Sequence, residues 1–162
     1  IISLLSDTGL RLNEALGLVT NDVDLECPIP YLSVKPHKWR TLKTPSSTRE
    51  IPLVGASLEA AKRLVRTSND DFLFPTYANL NETKSNSASA ALNKWLKQKL
   101  GKDYVIHSLR HSFRDRLRAI QCPPELINEL GGWSKASVGE GYGNGYPLKV
   151  KAEWIRKITA LE

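Results

Sequence analysis

The chain has no methionine and only two cysteines. Cys27 and Cys122 lie far apart without CxxC spacing. That argues against a disulfide framework and fits a reducing, cytoplasmic location. No apolar run is long enough to cross a membrane and no secretory signal is visible, so no membrane partner is expected. Without methionine, and opening on Ile1-Ile2-Ser3-Leu4-Leu5, the chain is expected to be an excised domain whose first helix is already in progress. There are no internal repeats and no convincing boundary, so residues 1–162 are taken as one domain.

At 162 residues the chain suits one domain with a real core. Its formal net charge is +6 and its pI about 9.4. A basic surplus favours an anionic partner, most simply nucleic acid. The charge is uneven along the chain. Lys35, Lys38, Arg40, Lys43 and Arg49 follow one another with no acidic residue between them.

The periodicities predict a mainly α chain with a small antiparallel β-sheet, an α+β fold. Residues 1–6 read as a buried helix end stopped by Gly9. Residues 11–18 read as a second helical stretch, and 20–28 as a polar loop. Residues 31–34 form a short strand. Residues 49–53 form its partner, with Pro45-Ser46-Ser47 as the turn and Lys43 close to it. Helices are expected over 57–66, 87–100 (apolar side Leu92, Trp95, Leu96), 107–120, 124–130 and 149–161. Residues 139–147, with Gly139, Gly141, Gly143, Gly145 and Pro147, read as a segment suited to movement.

The 107–120 helix carries the densest chemistry. On a wheel of about 100° per residue, Leu109, Phe113, Leu117 and Ile120 cluster on one side. His107, Arg110, His111, Arg114 and Arg118 cluster on the other, as a cationic stripe facing out. A solvated basic face is the plain alternative, although such faces mostly use Lys and Glu rather than two histidines. His107 and His111 stand at i,i+4. They lack a carboxylate between them and a third ligand, and the adjacent arginines would repel a cation, so no metal or other cofactor is expected. Arg11 sits among Leu10, Leu12, Ala15 and Leu16, with Glu14 three residues on. A partly buried arginine needs a fixed partner, and Glu14 can hold its planar fork in one orientation, ready for two phosphate oxygens.

Five boxes occur in order: Thr-Gly-Leu-Arg-Leu-Asn-Glu-Ala-Leu (8–16), Leu-Lys-Thr-Pro-Ser-Ser-Thr-Arg-Glu-Ile-Pro-Leu (42–53), His-Ser-Leu-Arg-His (107–111), Gly-Gly-Trp-Ser (131–134) and Tyr142. Their order and spacing resemble the catalytic domain of the tyrosine recombinases, the phage integrase family, over nearly the whole chain. The resemblance implies the DNA breaking-rejoining fold and site-specific strand cleavage and rejoining through a 3′-phosphotyrosine, without ATP or metal. It implies that Arg11 and Arg110 clamp the scissile phosphate. Lys43 would protonate the leaving 5′-oxygen, and His107 would assist proton transfer. Trp133 stands where the family has His or Trp; it can donate one N–H and pack the site but cannot shuttle a proton. Glu14 matches the acidic buttress, and His111 a supporting phosphate contact. Tyr142, nine residues after Trp133, is the implied nucleophile, with Tyr146 its rival.

Lys35, Lys38, Arg40, Arg114 and Arg118 are expected to contact DNA phosphates. The partner implied is a double-stranded attachment site, engaged by a homotetramer in the synaptic complex; the isolated domain is expected to be a monomer. The family's N-terminal DNA-grasping and arm-binding domains have no counterpart in these residues, so weak DNA binding by this chain alone is expected. The last helix resembles the tail that docks on a neighbouring protomer, with packing in cis as the alternative. A type IB topoisomerase or telomere resolvase would use the same chemistry. A non-catalytic DNA-binding module would keep the basic stripe but tend to lose Lys43 or the tyrosine.

Overall fold

A computed structural model describes residues 1–68, 71–134 and 145–159. Its helices are α1 (Ile2–Thr8), α2 (Leu12–Leu16), α3 (Gly55–Thr67), α4 (Ser85–Leu100), α5 (Ser108–Ala119), α6 (Pro124–Gly131) and α7 (Leu148–Thr159). Its strands are β1 (Val23–Asp24), β2 (Tyr31–Val34) and β3 (Arg49–Pro52). They pair antiparallel in the order β1-β2-β3, with Leu32 opposite Ile51 and Val34 opposite Arg49. The mainly α architecture with one small sheet agrees with the expectation from periodicity.

The core forms where the apolar stripes meet. Helix α1 buries Leu4 and Leu5 and packs on α3 and α5. Helix α5 contributes Phe113 and Leu117, both fully buried. Each such side chain stabilises the fold by about 1.5–3 kcal/mol through loss of apolar surface to water. In β2, Leu32 and Val34 face inward while Tyr31 and Ser33 lie half-exposed, the period of two expected for a strand with one covered face. Pro52, which cannot donate to a ladder, ends β3 on the sheet's edge. Helix α7 covers β3 and also packs on α3 and α5, burying Ala152, Ile155 and Ile158. The last helix thus packs in cis through residue 159.

Three expectations need correction. β1 lies inside the stretch predicted as polar loop. Two residues are too few to show periodicity, and the strand exists through pairing with β2. On α4, Ala88 and Leu96 are buried, whereas Trp95 is 47% exposed. The 88, 92, 96 spacing sets the inward line, and Trp95 falls beside it. The third concerns Arg110. It is 4% exposed and lies with Phe113 and Leu117 on the inward side of α5 rather than on an outward stripe. At about 100° per residue, positions 110 and 117 are only about 20° apart, so Arg110 borders the apolar face.

Candidate active site

Arg11 is the residue before α2, in extended conformation, and its backbone N–H donates to Glu14 Oε2 at 2.9 Å. This caps the short helix with a side chain from its own first turn. The guanidinium then folds over the same carboxylate, with Nη1 to Glu14 Oε1 at 2.6 Å. Nη1 also donates to Ser47 Oγ at 3.0 Å, and Nη2 to the Gly132 carbonyl at 3.3 Å. Three separate parts of the chain therefore fix one arginine: α2, the β2–β3 connection, and the end of α6.

Glu14 is itself buried and shared. Arg49 Nη2 donates to Glu14 Oε2 at 3.0 Å, Arg49 Nη1 to the Ser47 carbonyl at 2.7 Å, and Arg49 Nε to the Leu130 carbonyl at 2.8 Å. Burial alone would raise the Glu14 carboxyl, but Arg49 and Arg11 outweigh it and hold it below the ordinary carboxylate value. Arg49 is a member of the basic run that the motif reading leaves without a role. A strand signal could have found it: residues 49 and 51 share a face of β3, and Ile51 is core.

Arg110 reaches across from α5. Its Nη1 donates to the Gly9 carbonyl, its guanidinium carbon lies 4.4 Å from the Trp133 ring centroid, and its buried Nη2 has no hydrogen-bond partner among the described residues. Burial and the repulsion of Arg11 depress its pKa to about 9. Arg114, one turn on, lies 4.9 Å from the same ring. Trp133 is thus an aromatic face against which two guanidiniums sit. The chain reaches Trp133 through Gly132, whose φ is +61° and whose Cβ, if present, would lie 2.6 Å from Arg49 Nη1. Both the turn and the close approach require glycine there.

His107 precedes α5 and is solvent-accessible, with its ring edge-to-face on His111 at 4.8 Å. Burial, then the charges of His111, Arg110, Arg11 and Lys43, push its pKa below the ordinary imidazole value. Lys43 is exposed at a bend two residues before the 3₁₀ turn Pro45–Ser47, near enough for its charge to be felt at His107. Arg11, Glu14, Lys43, His107, Arg110, His111, Trp133 and Arg114 thus gather from α2, the β2–β3 connection, α5 and the end of α6. Tyr142 lies outside the described residues. Tyr146 is partly buried against the core.

The sequence model of the phage integrase family matches residues 1–146. The chain belongs to this family. A probable integrase/recombinase protein of Methanocaldococcus jannaschii is 28% identical over 169 residues, covering 100% of this chain and 50% of that protein. Tyrosine recombinase XerC of Neisseria meningitidis serogroup B is 28% identical over 146 residues, covering 88% of this chain and 46% of XerC. The chain spans about half the length of these relatives. Among solved structures, the Tn1549 transposon integrase in complex with a circular intermediate DNA superposes with a TM-score of 0.67 at 21% identity. The match covers 96% of this chain and 57% of that one. XerH bound to difH gives 0.56 at 23% identity, covering 94% and 40%. These likenesses place the fold as that of integrase-family catalytic domains.

Not every basic residue of this phage integrase family member faces the site. Arg40 is 1% exposed and donates to the Glu14 carbonyl and, at 2.5 Å, to the Lys35 carbonyl. The expectation that Arg40 contacts DNA is therefore withdrawn, because its guanidinium is inside the protein, tying the β2–β3 connection to α2. Lys35 is exposed and pairs with Asp22 at 3.1 Å. Lys38 is exposed, and Arg118 pairs weakly with Asp115 at 3.7 Å on the surface of α5.

Proposed function

We propose that this chain is the catalytic domain of a site-specific DNA recombinase, which cuts and rejoins strands through a covalent 3′-phosphotyrosine. The observation that carries this reading is Arg110 Nη2, a buried cationic donor without a hydrogen-bond partner among the described residues, beside an Arg11 that Glu14, Ser47 and Gly132 hold fixed. A buried unpaired donor on a charged group costs several kcal/mol unless an anion completes it. A phosphodiester does so: Arg11 and Arg110 take its non-bridging oxygens and stabilise the charge that grows on them as phosphorus becomes pentacoordinate.

In this mechanism the Tyr142 Oη attacks phosphorus in line with the 5′-oxygen. The P–O5′ bond breaks as the P–Oη bond forms, so the phosphodiester energy is retained. Lys43 gives a proton to the leaving 5′-oxygen. His107, mostly neutral at pH 7 because its pKa is depressed, assists transfer of the tyrosyl proton. Trp133 holds Arg110 and Arg114 against its ring, and His111 supports His107. A 5′-hydroxyl from another strand reverses the step and completes exchange.

The substrate is a double-stranded attachment site, with Lys35, Lys38, Arg114 and Arg118 contacting flanking phosphates and four copies acting together in the cytoplasm. Incubating the full-length protein with a nicked suicide substrate tests the reading. A covalent protein–DNA adduct is expected from the native sequence and none from Tyr142→Phe. An adduct that survives Tyr142→Phe removes Tyr142 as nucleophile.

A further inference from the structure

Helix α6 carries a second cluster that the phosphate site does not use. The Glu129 carboxylate accepts the Tyr146 backbone N–H, at 3.0 Å to Oε2 and 3.3 Å to Oε1. It also pairs with Lys151 Nζ at 2.7 Å, and the same ammonium donates to the Glu50 carbonyl on β3 at 3.4 Å. The Lys151 side chain is only 8% exposed. Gly145 has φ +72°, and a Cβ there would lie 2.5 Å from Glu129 Oε1. Glycine at 145 is what lets the chain pass against the carboxylate closely enough for Tyr146 N–H to reach it.

We propose that Glu129 is a positioning residue for DNA cleavage, which pins the chain just after Tyr142 and so sets where that tyrosine can be delivered. The proposal rests on Tyr142 being the nucleophile. Chain length gives the pin its force. Tyr142 is three residue steps from Gly145, a reach of at most about 11 Å, whereas the eight steps back to Ser134 could span about 28 Å. The short arm is therefore the limiting tether.

The pin and the phosphate cradle also share one rigid element. Glu129 is followed on α6 by Leu130, whose carbonyl takes Arg49 Nε, and then by Gly132, whose carbonyl takes Arg11 Nη2. Anchoring the tyrosine's tether on this helix fixes it in the frame of the arginines. Lys151 adds β3 to that frame and compensates the carboxylate's charge.

Single-turnover cleavage of a suicide substrate by the full-length protein, measured beside DNA affinity and melting temperature, tests this. Glu129→Ala is expected to lower the rate at saturating DNA by about 10–100-fold, the scale of an ångström-level misplacement, with the Kd for the same DNA unchanged. Glu129→Gln keeps an acceptor for Tyr146 N–H while losing the ion pair. It is expected to recover most of the cleavage rate although its melting temperature falls as in the alanine variant. Gly145→Ala keeps the Glu129 and Lys151 side chains but strains the backbone at φ +72° and crowds Glu129 Oε1; it is expected to slow cleavage with the Kd unchanged, and serves if the Glu129 variants do not fold. The proposal is overturned if Glu129→Gln is as slow as Glu129→Ala, if rate and Kd fall together, or if Gly145→Ala cleaves normally. An adduct formed by Tyr142→Phe overturns the reading beneath it, an outcome separate from all of these.

Discussion

Replacing Arg49 with alanine should be among the most damaging changes available outside the residues that touch DNA. The guanidinium donates to the Leu130 and Ser47 carbonyls and to Glu14, and its side chain is 2% exposed. Removing it leaves two backbone acceptors unsatisfied and leaves Glu14, 4% exposed at its side chain, to Arg11 alone. Breaking a buried ion pair by deleting one partner costs about 3–5 kcal/mol. At about 2–4 °C per kcal/mol for a domain of this size, the melting temperature should fall by about 6–20 °C. Urea titration followed by tryptophan fluorescence, with the melting curve beside it, gives both numbers. Arg49→Lys keeps the charge but offers an ammonium that cannot reach three acceptors in one plane, and should fall between the native protein and the alanine variant. A loss of less than about 1 kcal/mol for Arg49→Ala, the value of an exposed pair, would refute the buried-network reasoning.

Gly132→Ala should cost about 1–3 kcal/mol from its positive φ alone and more from the clash with Arg49, and it should slow cleavage by moving the carbonyl that holds Arg11; unchanged activity would remove that link. Cleavage measured at subsaturating DNA should rise with pH through a midpoint below about 6.5, because the fold depresses His107 and its neutral form persists into more acidic solution. His107→Gln should abolish that limb, and a midpoint above about 6.5 would contradict the direction. Lys43→Ala should slow cleavage with nearly intact binding, and sulfur at the bridging 5′ position should restore the rate, since a thiolate leaves without an acid. Lowering the pH should unfold the protein partly through Glu14. Its carboxyl is held below the ordinary value, so the stability it contributes is present above about pH 4.3 and is lost as pH falls through its lower folded-state value. In Glu14→Gln this acid-dependent loss should flatten.

The elements that carry the site were legible wherever the period was long enough to read, as in α5 and α7, and the motif boxes brought Arg11, Lys43, His107, Arg110 and Trp133 forward. What stayed hidden was direction. The basic run from Lys35 to Arg49 carries no local sign of which residues turn inward, yet Arg40 and Arg49 do, because Glu14 and the Leu130 carbonyl, which receive them, come from distant segments. Arg110 misled in the same way: the wheel groups it with the outward cationic stripe and cannot show that Gly9 and Trp133 wait beneath it. The Glu129–Lys151 pair joins α6 to α7 across many residues and leaves no local signature. These contacts of Arg40, Arg49, Arg110 and Glu129 join segments far apart in the chain, and their position depends on tertiary packing and not on local period.

The central claim, that Tyr142 is the nucleophile delivered to an arginine-clamped phosphate, is tested most directly by mapping the covalent bond. The full-length protein is trapped on a suicide substrate, digested, and the nucleotide-bearing peptide sequenced by mass spectrometry. A 3′-phosphate on Tyr142 is the expected result. A 3′-phosphate on Tyr146, or no adduct at any tyrosine, would contradict it.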